Sequence, residues 1–331
     1  MPLIRTEEYK PNFLFRIGHV NTIYPHFFRK SPNPWQHRLR VSTPDLDFFD
    51  VDWIVTPPNQ NLLILLHGLE GSSASPYMKA FGACFSQGGY DVAAIHFRSC
   101  SDQINHSRTL YHSGFTEDLA FFLQHHTNQY KRVYICGFSL GGSVTLNFAS
   151  RFASQMPEFI QGFAAVSVPL DLVKSSAQLK KWENLPYTRR FLSTLTQKIR
   201  LKSSQFPDKI DAGALNHIRS LWDFDEHYTA PLHGFQSAQD YYEKCSSLPF
   251  LNDITVPTLI VNAKDDSFLS ANCFPAALSQ KHPYLHLLTP DFGGHVGFSS
   301  LNKKQYWIER IVLDFFESIN KNLSNSFILN K

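Results

Sequence analysis

The sequence predicts an α/β fold in which a mostly parallel central sheet carries helices on both of its faces. Two observations support this prediction: short apolar runs of strand length recur along the chain, and stretches with helically spaced apolar residues separate them. Alternating strands and helices build parallel units, because each helix returns the chain to the same edge of the sheet. Ligands of such sheets bind at the carboxyl ends of the strands.

In the first half of the chain, residues 1–35 combine many aromatic residues with prolines and predict an irregular arm packed on the main body. A helix is expected to begin at Ser75-Pro76, where a capping residue precedes a proline in the first helical position. A second helix is expected over 115–126, from the apolar spacing of Leu119, Phe122 and Leu123. The strands predicted in this half cover residues 37–42, 47–55, 61–66 and 90–97.

In the second half, an apolar strand over 132–136 leads through a glycine-rich turn into a helix. The remaining predicted elements are strands over 159–168, 258–262 and 285–288 and a last amphipathic helix over 305–320. Residues 169–256 are far too many for a plain loop, and their aromatic and charged residues recur at helical spacing. We therefore expect a single domain over 1–331, with 169–256 as a helical cap insertion.

Composition excludes several classes of protein. Hydrophobic residues make up 43% of the chain, which argues against disorder, and a net charge of +3 is too small to predict a nucleic-acid partner. The five scattered cysteines are odd in number, so we expect reduced thiols and a cytoplasmic location. The sequence lacks the short metal-binding, dinucleotide-binding and Walker-type motifs, and we expect no cofactor and no metal.

The N-terminal segment carries acidic residues where a signal peptide would need an apolar stretch. The longest apolar runs have the length of a strand, well short of the ~18 residues that suggest a membrane span. We expect no transmembrane segment, while peripheral membrane contact stays open.

The chemistry is expected to centre on Gly137-Phe138-Ser139-Leu140-Gly141, which lies between a predicted strand and a predicted helix. A strand, a Gly-x-Ser-x-Gly turn and a helix, in this order along the chain, form the pattern of a nucleophile elbow. The two glycines suit a turn so tight that the neighbours of the serine can carry little side chain. The pattern predicts that Ser139 is a catalytic nucleophile.

A serine nucleophile needs a base, and His295 is the candidate because it follows the last predicted strand between glycines. The histidine in turn needs an acid to orient it. We favour Asp265, which lies three residues after Asn262 at the end of a predicted strand. Asp266 is the alternative acid, although an aspartate there would also suit a helix cap.

Acyl transfer also requires two N–H donors for the oxyanion. Leu140 follows the nucleophile and is expected to supply one, and Leu69, in the loop after the 61–66 strand, the other. In the same loop, His67 is interpreted as structural, and Glu70 is a candidate to brace the loop.

At this point the sequence resembles the α/β-hydrolase superfamily, and within it the YheT-like esterase branch. The motifs that carry the resemblance lie at residues 19–25, 67–72, 97–101, 111–114, 137–141, 229–235, 262–266 and 293–298. The resemblance implies the α/β-hydrolase fold, a Ser139, Asp265 and His295 triad, a helical cap and hydrolysis of carboxylic esters. This sequence departs from the branch at Ser99, where glycine is usual, and at Ser267, where proline is usual.

The leading hypothesis is a serine esterase of small-molecule esters with short- to medium-chain acyl groups. The same triad would serve a lipase, a phospholipase or an acyltransferase, so lipid substrates stay open. A hydrolase-like scaffold used only for binding is the third hypothesis, disfavoured by the complete set of triad residues. The sequence determines neither the physiological substrate nor the oligomeric state.

Overall fold

The computed structural model describes residues 4–6, 8–56, 58–301, 305–321 and 327–329. The described strands are β1 (Ile4–Thr6), β2 (His37–Ser42), β3 (Phe48–Ile54), β4 (Asn61–Leu66), β5 (Asp91–Ile95), β6 (Arg132–Phe138), β7 (Ile160–Val166), β8 (Thr258–Val261), β9 (Leu285–Leu288) and β10 (Phe327–Leu329). Each predicted strand is present, with bounds that differ from the prediction by up to a few residues.

Strands β2 to β9 form one eight-stranded sheet in the spatial order β2-β3-β5-β4-β6-β7-β8-β9. β3 runs antiparallel to both of its neighbours, β2 and β5. The other six strands, β5, β4, β6, β7, β8 and β9, run parallel to one another. A separate two-stranded parallel sheet pairs β1 with β10. The predicted mostly parallel central sheet is confirmed.

The described helices are α1 (Gly18–Phe28), α2 (Pro76–Gln87), α3 (Glu117–His126), α4 (Leu140–Arg151), α5 (Leu172–Leu179), α6 (Leu185–Gln205), α7 (Leu221–Phe224), α8 (Ala230–His233), α9 (Ala238–Cys245), α10 (Ala276–Lys281) and α11 (Trp307–Asn320). The helices α5 to α9 all lie between β7 and β8 in the chain, within the predicted insertion. A short π-helical segment, Asp225–Thr229, joins α7 to α8.

Two apolar cores lie on opposite faces of the sheet. Successive residues of β4 point to opposite faces: Leu62, Ile64 and Leu66 pack with α3 and α4, whereas Leu63 and Leu65 pack with α2 and α11. A strand covered on both faces needs apolar residues at every position, which is why β4 is apolar throughout. The predicted helices on both faces of the sheet are confirmed.

The N-terminal arm differs from its prediction, because it contains the eleven-residue helix α1 rather than irregular chain alone. Pro25 lies inside this helix and has no N–H to donate to the carbonyl of Asn21, one turn earlier. The Asn21 carbonyl instead accepts a hydrogen bond from the Ser299 hydroxyl (3.0 Å), in the loop before α11. A tertiary contact thus satisfies the group that the proline leaves open, and the helix continues.

Candidate active site

Ser139 lies on a sharp turn between β6 and α4. Its backbone adopts φ 52° and ψ −116°, a conformation that is rare for a residue with a side chain and must be held by its surroundings. The Ser139 N–H donates to the Val166 carbonyl in β7 (2.9 Å), and its carbonyl accepts the N–H of Ser143 in α4 (3.1 Å). Strand and helix therefore hold the serine from both sides.

Gly137 and Gly141 allow the backbone to approach closely in this turn. A Cβ on Gly137 would stand 2.1 Å from the Gly141 carbonyl oxygen, and a Cβ on Gly141 would stand 2.3 Å from the Leu66 carbonyl oxygen. Both distances are too short for a Cβ atom, and the atoms in the way belong to the backbone, which cannot rotate aside. An alanine at either position would displace the turn that presents Ser139.

His295 reaches Ser139 from the loop between β9 and α11. The imidazole Nε2 lies 2.9 Å from the Ser139 Oγ, which can donate its proton to it. The His295 ring packs against the ring of Phe268, with 4.2 Å between the centroids, and its backbone N–H donates to the Thr22 hydroxyl in α1 (2.8 Å). The predicted pair of serine and histidine is therefore brought within hydrogen-bond distance.

Asp266, and not Asp265, meets the other nitrogen of His295. The Asp266 Oδ2 lies 2.8 Å from the His295 Nδ1, and its side chain is fully buried. Its Oδ1 accepts the N–H of Phe268 two residues on (3.0 Å), as in an Asx turn. The sequence-based preference for Asp265 as the partner of His295 is wrong, because the turn after β8 points its two successive aspartates in different directions.

Asp265 supports the histidine loop by a different route. Its Oδ1 accepts the Gly294 N–H (2.8 Å), one residue before His295, and its Oδ2 is buried without a hydrogen-bond partner among the described residues. Burial raises the pKa of this carboxyl to about 6. Asp265 therefore contacts the backbone of the loop that carries the imidazole, and not the imidazole itself.

The two expected oxyanion donors flank Ser139 along one cavity. Leu140 is the first residue of α4, so its N–H has no carbonyl partner within its own helix. In the loop after β4, the Gly68 N–H donates to the Tyr77 hydroxyl (3.0 Å), which leaves the following residue, Leu69, as the donor candidate. Leu69 and Leu140 line the same cavity as Ser139 and His295.

A buried polar network braces the loop that carries Leu69. Glu70 has a positive φ of 54°; its N–H donates to the Tyr111 hydroxyl (2.9 Å), and that hydroxyl donates to the Glu70 Oε1 (2.7 Å). Lys198 of α6 reaches the same carboxylate oxygen (2.7 Å). The expectation that Glu70 braces this loop agrees with these contacts, and Lys198 ties the loop to α6.

His67 is structural in this geometry, as expected. Its ring is fully buried, and its Nε2 accepts the N–H of Phe97 (3.1 Å). The proton must therefore lie on Nδ1, which donates to the Gly68 carbonyl (2.8 Å). Burial lowers the pKa of His67 to about 3, so the ring stays neutral.

Beside Ser139 and His295 lies a cavity of about 1020 Å³, including its solvent-filled mouth. Most of its lining is apolar and comes from the 169–256 stretch, where α5, α6 and α7 contribute leucines and phenylalanines. A group of polar side chains also lines it. The group consists of His112, Ser113, Ser175, Ser176, Asp225, Thr229, His233, Tyr241 and Tyr242. The cavity can take an apolar chain and offers hydrogen-bonding groups in its wall.

Three residues around the site were not predicted from the sequence. Thr22, Phe268 and Lys198 contact the His295 backbone, the His295 ring and the Glu70 carboxylate, respectively. A signal existed only for Thr22, which lies within the 19–25 motif of the resemblance. Nothing local marks the other two, because their roles depend on partners distant in the sequence.

Within the described ranges we also searched for metal sites, membrane-spanning helices and disulfides. There, no three His, Cys, Asp or Glu residues come together as a metal-ligand group. None of the helices in the described part of the chain is long and apolar enough to cross a membrane. The five cysteines are buried and unpaired.

Comparisons with known proteins bear on the family and the fold of the chain. Residues 61–293 match the alpha/beta hydrolase fold family. "Putative esterase YheT" of Escherichia coli (strain K12) is 32% identical over 317 residues, which are 93% of this chain and 92% of that protein. "Phospholipase ABHD3" of Homo sapiens is 25% identical over 95% of this chain and 80% of its own length. The solved structure of the Pyrococcus furiosus esterase Pf2001 covers 97% of this chain, with 98% of its own length matched, at a TM-score of 0.55 and 17% identity.

Proposed function

The chain belongs to the α/β-hydrolase family and is a carboxylic ester hydrolase, and we propose that it works through a triad of Ser139, His295 and Asp266. The observation that carries the proposal is the continuous hydrogen-bonded line from the Ser139 Oγ to the His295 Nε2 (2.9 Å) and from the His295 Nδ1 to the Asp266 Oδ2 (2.8 Å). This line joins a nucleophile, a base and an orienting acid in the order that acyl transfer requires.

In the first half of the reaction, the Ser139 Oγ attacks the ester carbonyl carbon while the His295 Nε2 takes its proton. The imidazolium that forms is stabilised by the carboxylate of Asp266, which also keeps the ring in the correct tautomer. The Leu69 and Leu140 N–H groups hold the negative oxygen of the tetrahedral intermediate. The imidazolium then returns the proton to the departing alcohol, and an acyl-enzyme remains.

In the second half, water enters the position of the alcohol and the His295 Nε2 removes a proton from it. The resulting attack on the acyl carbonyl passes through a second oxyanion in the same site. Collapse of this intermediate releases the carboxylic acid and returns the proton to the Ser139 Oγ. The cycle uses side chains and backbone N–H groups alone and calls for no cofactor.

The cavity supports a substrate with an apolar acyl chain. We assign residues 169–256 to a helical cap within a single hydrolase domain over 1–331, because their side chains form most of the apolar wall beside Ser139. We propose small-molecule esters with short- to medium-chain acyl groups as substrates, because the wall beside Ser139 is mostly apolar. We place the protein in the cytoplasm, since the five buried cysteines carry no disulfide.

A second candidate keeps the same nucleophile and changes the substrate or the acceptor. The human relative bears the name of a phospholipase, and a lipid ester would place its apolar chain in the same cavity. An acyltransferase would use an alcohol instead of water in the second half of the reaction. Comparing a soluble ester with the same ester in vesicles, and analysing products with added alcohol, separates these candidates.

The test is turnover of a soluble p-nitrophenyl ester by Ser139→Ala, with Ser143→Ala as the matched control. Ser143 lies one turn further along α4, and its hydroxyl makes a long contact of 3.5 Å to the Pro169 carbonyl. We expect Ser139→Ala to remove turnover with unchanged folding and Ser143→Ala to retain it. Equal turnover in wild type and Ser139→Ala would refute the mechanism, and a folded wild type with no turnover of any ester would favour a binding scaffold.

A further inference from the structure

Helix α1 departs from the usual polarity, because polar Asn21 and Thr22 face inward while most of its large apolar side chains face outward. On the inner face, the buried Asn21 side chain accepts the Ser299 N–H (2.7 Å) and donates to the Phe15 carbonyl (2.9 Å), while Thr22 accepts the His295 N–H. A surface helix of a globular protein normally turns its apolar side chains inward. The inward side of α1 is instead used to hold the histidine loop.

The outward side of α1 and the short 3₁₀ helix before it expose a group of large apolar side chains. This N-terminal apolar face consists of Phe13, Leu14, Ile17, Val20, Ile23, Phe27 and Phe28. Phe13 and Phe27 are each 71% exposed and Phe28 is 66% exposed. Seven of the thirteen exposed large hydrophobic residues in the described chain thus fall within one 16-residue stretch. A concentration of this kind marks a contact surface, whereas single exposed apolar residues need no explanation.

The segment that carries this face has basic residues and no acidic residues of its own. From Tyr9 to Trp35 the sequence contains four Lys or Arg residues and no Asp or Glu. Two of these cations form ion pairs, Lys10 with Glu8 and Arg29 with Glu309. The other two, Arg16 and Lys30, lie at the two ends of the face and are accessible to solvent. Exposed Arg190 of α6 adds a further cation near α1. Partial burial, and then the charge of Arg190, lower the pKa of His26 in α1. An apolar face with phenylalanines and a cationic border has the chemistry of an interfacial helix.

A second copy of the chain fits this face less well. In a two-fold contact the same patch meets itself, so the exposed cations Arg16 and Lys30 would meet a border of the same charge. An anionic lipid surface satisfies both properties together, because its headgroups attract the cations and its acyl region accepts the apolar side chains.

We propose that the N-terminal apolar face docks the protein on an anionic lipid bilayer. Docking through α1 places the membrane beside the active site, since the inner face of the same helix holds His295 through Thr22. His19 of α1 also stacks on Tyr187 of α6 (5.8 Å between centroids), and Tyr187 packs against Phe268 at the cavity wall (4.8 Å). The bilayer would therefore contact an element that touches both the histidine loop and α6.

The test is sedimentation of the full chain with two kinds of vesicle: phosphatidylcholine alone, and equal parts of phosphatidylcholine and phosphatidylglycerol. Phe13→Ser/Phe27→Ser removes two of the most exposed side chains of the face. Leu46→Ser is the matched control, since Leu46 is 87% exposed on the turn between β2 and β3. Arg16→Gln/Lys30→Gln removes two cations and leaves the apolar side chains in place.

Wild type and Leu46→Ser are expected to bind the mixed vesicles more strongly than phosphatidylcholine alone. Phe13→Ser/Phe27→Ser should lose at least about tenfold in partitioning, because two phenylalanines no longer enter the acyl region. Arg16→Gln/Lys30→Gln should lose the preference for phosphatidylglycerol. All variants should keep wild-type turnover of a soluble ester, and vesicle binding can be read whether or not that ester is turned over.

Three outcomes would overturn the proposal. Wild type that stays in the supernatant with both kinds of vesicle does not dock on lipid. Equal binding by wild type and Phe13→Ser/Phe27→Ser would place the membrane contact elsewhere. A wild-type dimer in the absence of vesicles that Phe13→Ser/Phe27→Ser converts to monomer would assign the face to a second copy of the chain.

Discussion

At the scale of single residues, the two adjacent carboxylates after β8 divide the support of His295 between them. Asp266 contacts the imidazole, and Asp265 contacts the backbone of Gly294 in the same loop. Only the first of these contacts can fix the tautomer of the ring and stabilise its positive charge during the reaction. The two residues should therefore respond very differently to the same substitution.

Asp266→Asn is expected to lower kcat by roughly 10³–10⁴-fold, because the amide can hold the imidazole in the wrong tautomer and supplies no negative charge. Asp265→Asn is the matched control, since its amide oxygen still accepts the Gly294 N–H. It should lower kcat by about tenfold at most. Steady-state kinetics on a soluble ester measure both effects, and a larger loss in Asp265→Asn than in Asp266→Asn would reverse the assignment.

At the scale of secondary-structure elements, α1 contacts His295 itself through the hydroxyl of Thr22. Thr22→Val keeps the shape of the side chain but leaves the His295 N–H without its acceptor, and an unsatisfied buried donor costs about 1–3 kcal/mol. The histidine loop should shift to find another partner, and small displacements of catalytic groups are costly. We expect kcat to fall about tenfold or more, with a small change in KM.

Thr22→Ser separates positioning from packing, because serine restores the hydroxyl and omits only the methyl group. It should retain kcat within about twofold of wild type if the hydrogen bond is what positions His295. Equal kcat values for Thr22→Val and wild type would show that α1 does not position the histidine.

Helix α6 is coupled to the loop of Leu69 by the ion pair of Lys198 and Glu70. Both side chains are nearly buried, with exposures of 13% and 5%, so removing one partner leaves an uncompensated charge. Lys198→Met should destabilise the protein by about 3–5 kcal/mol, the range for a broken buried pair. Urea unfolding measures the change.

The double variant Glu70→Gln/Lys198→Met removes both charges, and the amide oxygen introduced at position 70 can still accept the Tyr111 hydroxyl. It should recover most of the stability that Lys198→Met loses, since no buried charge is left unpaired. If the single and double variants were equally unstable, packing of Lys198, and not its charge, would account for the loss.

At the scale of the whole molecule, burial of Asp265 should make the free energy of unfolding depend on pH. The pKa of this group is about 6 in the folded protein, against an ordinary value of 3.8. At a pH between these two pKa values, Asp265 keeps its proton in the folded state and has released it in the unfolded chain. Its contribution to the free energy of unfolding therefore falls as pH rises from about 4 to about 6.

Asp265→Asn has no group to titrate at this position. Its stability relative to wild type should therefore increase through this pH window and level off above about pH 6. Urea unfolding of both proteins across the window gives the difference directly. A difference that stays constant with pH would contradict the raised pKa.

The central sheet was predictable because burial on both faces leaves a local mark on the sequence. Strands β4 and β6 are almost wholly apolar, and only a strand covered on both sides needs that composition. The turn of Ser139 was equally marked, since only glycine fits at positions 137 and 141. These features depend on the chain within a few residues of each position.

The remaining features depend on contacts that leave no local pattern. Helix α1 was missed because Pro25 argues against a helix and the satisfying Ser299 hydroxyl lies far along the chain. The choice between Asp265 and Asp266 depends on the backbone angles of one turn, which counting residues from the strand end does not supply. Lys198 meets Glu70 across 128 residues of sequence.

The most direct test of the triad is labelling of the folded protein with a fluorophosphonate probe, followed by peptide mapping. The probe reacts with a serine only when a neighbouring base activates it. In wild type we expect a single modified site at Ser139. Labelling should be lost in His295→Ala and strongly slowed in Asp266→Asn. Absence of label in the folded wild type, or undiminished labelling of His295→Ala, would contradict the claim that His295 activates Ser139.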